Sequence, residues 1–230
     1  MGVGHAAVAL GASRAAPRLN VGLLIFAAFL ADFLLGIFAA VGIEQTHVPA
    51  DFASRHYLTF TFPYSHGMFA LVVWGILLGA LLCRLDHGNR GRAFLVIALV
   101  VLSHFVLDAL VHVPELPLLG ENSRKIGLAL WNHLPLELTL ETVMAIAGLA
   151  IYWRLPGNSN ARRWAVAAFI FVVTGLTWSQ LFVPRPPSAS GLIPNWILAP
   201  LIISAILFAF DRKRVEAARI PQFQTAIQPR

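Results

Sequence analysis

Residues 93–113, AFLVIALVVLSHFVLDALVHV, decide the fold. At about 1.5 Å of rise per residue, 20 such residues make a helix of roughly 30 Å, the thickness of a bilayer's hydrocarbon core. The run is apolar enough to lie there. Yet it carries His104, Asp108 and His112, each four residues after the last. On a helix such positions drift by only about 40° per step, so the three form one stripe. His104 lies about 12 residues beyond Arg92, roughly 18 Å along the helix and close to the midplane. An ionisable group at that depth costs at least about 2.5 kcal/mol, so it must face a cavity or a partner rather than lipid.

Five further runs share the pattern, giving spans at about 20–43, 65–83, 93–112, 131–153, 163–183 and 192–210. Across the whole chain of 230 residues, 58% are hydrophobic and 12% charged, against about a quarter charged in soluble domains. Mean hydropathy is +0.73. Backbone groups in lipid must bond within their own segment, which predicts an all-α polytopic bundle of about six transmembrane helices. No run resembles a cleaved signal peptide. A single transmembrane domain over 1–210 and a basic tail over 211–230 are expected.

The net charge of +6 does not point to nucleic acid, because the charges are sorted by side. Arg14 and Arg18, then Arg84, Arg90 and Arg92, then Arg154, Arg162 and Arg163, then Arg212, Lys213, Arg214, Arg219 and Arg230 fall at one end of the spans. Only Arg55, Arg124, Lys125 and Arg185 fall at the other. The positive-inside rule then puts both termini in the cytoplasm, with the basic tail against anionic lipid headgroups. Cys83 stands alone, so no disulfide or cysteine-based metal site can form within one chain. The longer connections, 44–64 and 113–130, lie opposite the basic side and can fold over the bundle as lids.

The same depth count places Asp32 near the midplane of the first span and Glu141 about ten residues, roughly 15 Å, inside the fourth. His66 stands where the second span begins. Two His, two Asp and a Glu can thus converge from four helices, and imidazole with carboxylate is a donor set for Zn, Mn or Fe. Structural readings compete: His104 with Asp108 as a packing pair, His112 as a polar helix end, Glu141 as partner to an arginine or a backbone group. His133 and Glu137 sit shallow and are expected to be solvated, as are His47, His56, His87 and Asp86 in loops. Residues 2–13 are apolar but too short to span. As a re-entrant half-helix they would bring His5 to the depth of Asp32; as an amphipathic piece they would lie on the inner surface.

Gly4-His5, Asp32, Ser65-His66 and Ser103-His104 with Asp108, in that order, resemble the inner-membrane metal-dependent hydrolase family, also described as LexA-binding, inner-membrane-associated hydrolases. The resemblance covers residues 1–112. It implies a bacterial cytoplasmic membrane, a distant likeness to zinc-dependent phospholipase C, and His5, Asp32, His66, His104 and Asp108 as metal ligands. The stretch KIGLALWNHLPLELTLE resembles a bacterial subgroup sometimes labelled permeases. The family usually has Thr-His-Ser where this chain has Ser65-His66-Gly67, and Asp-x-Asp-His where it has Asp32-Phe33-Leu34-Leu35. Metal-assisted hydrolysis of a lipid phosphoester, with zinc first among the ions and Glu141 or Asp108 as general base, is the expectation. A transporter or permease using the same groups, and a non-catalytic scaffold, are the alternatives.

Overall fold

The computed structural model describes residues 2–86 and 88–219, with side chains as far as Glu216. His87 and the distal part of the basic tail, Arg230 included, lie outside the described residues. The described residues are mostly helical, with almost no sheet. Its elements are α1 (Val3–Ala12), α2 (Val21–Ala28), α3 (Leu30–Ala40), the one-turn α4 (Phe52–Arg55), α5 (Met68–Leu82), α6 (Arg90–Val111), α7 (Leu134–Trp153), α8 (Asn160–Trp178) and α9 (Ile193–Arg219). Five helical segments are long and apolar enough to cross a membrane, and α2 with α3 makes a sixth span bent by 51°. The protein is a multi-pass membrane protein.

Helix starts follow local chemistry. The side chains of Asn20, Asn89 and Ser159 accept the backbone N–H groups of Gly22, Arg92 and Arg162, capping α2, α6 and α8. Pro135 occupies the first turn of α7, where its missing N–H costs nothing. Pro114 stops α6 soon after His112.

The helix α1 lies inside the bundle rather than on its surface. Val3 through Ala7, Ala9 and Leu10 are buried, and the helix packs on α7, α2 and α6. Gly148 of α7 permits this: a Cβ there would sit 2.4 Å from the carbonyl oxygen of Ala7. A Cβ on Gly22 would likewise come within 2.4 Å of the Phe208 nitrogen, so α2 and α9 also touch backbone to backbone.

At one end of the bundle the loops are short and basic. There α9 continues past residue 210, to Arg219, and Arg214 turns inward. It is fully buried, and its guanidinium donates to Asp211 at 2.6 Å from both Nε and Nη2, and to the carbonyls of Pro17 and Leu19. Asp211 in turn accepts from the Val21 N–H at 2.9 Å and the Tyr152 hydroxyl at 3.0 Å. Asp86, expected to be solvated, is also buried and accepts from the Gly88 N–H.

The opposite end is loop-rich. Gln45–His47 (β1) pairs antiparallel with Thr59–Thr61 (β2), bracketing α4, and Leu116–Pro117 (β3) pairs with Lys125–Ile126 (β4). Reporter fusions at Asn89 and Asn158, both at the basic end, are expected to read cytoplasmic, and fusions at Asp51 and Ser188 external. A reversed reading at any of the four would mean a miscounted span.

Candidate metal centre

The stripe of α6 and the bend between α2 and α3 build the centre together. Asp108 is 1% exposed and is the hub. Its Oδ2 lies 3.1 Å from His104 Nε2, 3.5 Å from His112 Nε2 and 3.7 Å from His66 Nε2, and its Oδ1 lies 3.2 Å from His5 Nε2. His66 and His104 bring their Nε2 atoms within 3.2 Å of each other. Asp32 stands in the first turn of α3, 3.8 Å from His66 Nε2 and 4.0 Å from His104 Nε2. The helix N-terminus at the break favours its negative charge in mid-span.

The outer nitrogens fix the tautomers. His104 Nδ1 lies 2.7 Å from the carbonyl of Ala28, the residue at the break, and must donate to it. His112 Nδ1 lies 2.7 Å from Glu115 Oε1. His66 Nδ1 lies 2.8 Å from Ser65 Oγ, which spends its own hydrogen on Glu44 Oε2 at 2.6 Å and can therefore only accept from the ring. Each imidazole is thus held by an acceptor behind it, the arrangement that fixes and strengthens histidine ligands. Each turns its Nε2 toward Asp108.

His66 Nε2, His104 Nε2 and Asp108 Oδ2 face one another at 3.2, 3.1 and 3.7 Å. Zinc–nitrogen and zinc–oxygen bonds of about 2.0–2.2 Å in a tetrahedron put neighbouring ligand atoms about 3.3–3.6 Å apart. The triangle fits that face to within a few tenths of an ångström, so the donor set suits a metal ion. His5, His104 and Asp108, and also Asp32, His66 and His104, each bring one ligand atom within 4.8 Å of one another.

All five residues expected as ligands meet here. His5 also stacks on His104, with ring centroids 3.8 Å apart. Glu141, expected near the ion as a base, is placed elsewhere in use: its Oε1 accepts the Gly2 N–H at 2.8 Å and its Oε2 the Gly4 N–H at 3.0 Å. It satisfies the free amides at the start of α1 and so seats His5. The backbone-partner alternative raised for Glu141 is the one seen. Glu137 is buried beside it instead of solvated. His112 joins the cluster at 4% exposure instead of ending the helix in headgroups. Glu44, Ser65 and Glu115 were not legible as partners, since each becomes one only through the fold of a loop.

A cavity of about 370 Å³ opens on the cluster from the loop-rich end. Asp32, His66, Asp108 and His112 form its floor, and Phe52, Tyr57, Phe60, Phe62, Trp131 and Trp196 line its walls. The connection 44–64 thus does fold over the bundle. Glu115 Oε2 ties it down by accepting the Phe60 N–H at 2.8 Å. Trp131 packs on His112 at 4.0 Å between ring centroids.

Compared with protein-family models, with curated proteins and with solved structures, the chain gives no match.

Proposed function

We propose that this protein is a zinc-dependent hydrolase of a bacterial cytoplasmic membrane, both termini cytoplasmic, acting on a lipid phosphoester. One observation carries the metal: His66, His104 and Asp108 set two ring nitrogens and a carboxylate oxygen in a triangle with edges of 3.1–3.7 Å. The order of motifs resembling the inner-membrane metal-dependent hydrolases supports the reaction class.

His66, His104 and Asp108 would hold the ion, with His5 donating to the far oxygen of Asp108. When bound, such an ion lowers the pKa of a coordinated water to about 7 and polarises the scissile group. Asp32 is the carboxylate on the cavity floor with the more open side chain, 26% exposed against 2% for Asp108. It is placed to take the proton of an attacking water and return it to the leaving oxygen. His112 presents a second lone pair to the cavity. The aromatic walls restrict water around these charges, which strengthens every electrostatic contact among them.

Metal analysis of the detergent-purified protein tests the centre, with about one ion per chain expected. Proteoliposomes then separate the chemistries. Product release from lipid phosphoesters without solute flux is expected. Flux without hydrolysis would make the protein a permease, and neither activity in a metal-free protein would leave a scaffold.

A further inference from the structure

Two apolar grooves run along the lipid-facing side of α8. One, about 820 Å³, lies between α7 and α8 and shares no lining residue with the metal-centre cavity. The other, about 730 Å³, lies between α8 and α9. It meets the cavity at Asn195, which lines both. Its floor includes Phe29, whose ring packs edge-on against His5 at 5.8 Å. This second groove therefore adjoins the metal-centre cavity at Asn195 and reaches the His5 ring through Phe29.

Its dimensions match a lipid tail. It runs from Thr177 to Phe169 on α8, about 12 Å of helix, and from Pro194 to Ile203 on α9, about 13 Å. That is close to half of the roughly 30 Å hydrocarbon core, one leaflet deep. The polar residues Thr177 and Asn195 stand at the loop-rich mouth, while Phe169, Ile202 and Ile203 stand at the far end in mid-bilayer. Leu176, Leu198 and Ile202 on its rim are exposed, which in a membrane means exposed to acyl chains.

We infer that the α8–α9 groove is the lateral entrance and acyl-chain site for a membrane lipid whose head group lies in the cavity over Asp32 and His66. The head-group half rests on the hydrolase reading; the chain half stands on the groove alone. Entry from the side spares a two-tailed lipid from leaving the bilayer. It also accounts for the wall that the cavity and the groove share at one asparagine.

The test uses the full-length protein in nanodiscs of synthetic phospholipid, doped with a diacyl phospholipid carrying a diazirine midway along one chain. Adducts are mapped by mass spectrometry. Labelling on the α8–α9 groove is expected to exceed that on the α7–α8 groove at least about tenfold, a preference of about 1.4 kcal/mol. Ala199→Trp, which fills the groove, and Leu198→Trp, which narrows its open rim, should both lose the excess. Ala168→Trp, facing the other groove, should keep it. Equal labelling of the two grooves, or undiminished labelling in both blocked variants, would overturn the proposal. Metal content is read on the same samples. A protein that labels as expected but holds no ion would retain the chain site and lose the hydrolase reading. One that holds its ion but labels evenly would do the reverse.

Discussion

His104→Ala is expected to leave the purified protein without metal. The substitution removes a donor and also strips the Ala28 carbonyl of its partner at the break in the first span. Loss of a residue that merely supports a ligand costs about 10–100-fold in metal affinity, so loss of a ligand should cost more. His104→Asn, whose side-chain amide nitrogen falls where the ring Nδ1 sits, retains a hydrogen-bond donor for Ala28 and separates the two effects. It should recover most of the thermal stability while staying metal-poor. Full occupancy in both variants, measured by elemental analysis against protein concentration, would remove His104 from the centre.

Arg214→Ala should be the most damaging change at the basic end. Asp211 would remain as a buried charge with only the Val21 N–H and the Tyr152 hydroxyl. The Pro17 and Leu19 carbonyls would lose the donors they have now. Breaking a buried pair from one side costs about 3–5 kcal/mol, whereas replacing both partners by apolar groups of similar volume costs far less. Unfolding of the detergent-solubilised protein should therefore rank wild type, then Arg214→Met with Asp211→Leu, then Arg214→Ala as the least stable. An Arg214→Ala protein as stable as wild type would mean the pair is dispensable.

The ionisable residues of the spans were legible as a group because lipid leaves so few explanations for them. The spacing of His104, Asp108 and His112 alone puts three chemical groups on one face, and the depth of Asp32 brings it to the same level. The positions of the spans were equally open, since a run of 20 apolar residues has few other uses. The bend at Phe29 was not legible: no proline or glycine marks it in AAFLAD, and only the geometry shows that the break frees the Ala28 carbonyl for His104. The fate of Glu141 was hidden for a related reason. Its partners are backbone amides of Gly2 and Gly4, and amides leave no trace in side-chain patterns. Arg214 misled in the opposite sense. Arg212, Lys213 and Arg214 read as one basic run at the lipid headgroups, yet helical spacing turns the third of them inward onto Asp211.

The packing of α2 against α9 sets a timetable for biogenesis. The segment carrying Gly22 leaves the ribosome well before the backbone it docks on, around Ser204 and Phe208. Contacts that span most of the chain form late, because the intervening loop must be made before it can close. Until then the flat face of α2 must be sheltered by lipid or by the insertion machinery. A nascent chain halted before Asp211 would also lack the acceptor that joins Val21 to Tyr152. Membrane quality control would meet such a chain as an unlatched bundle until α9 closes on α2.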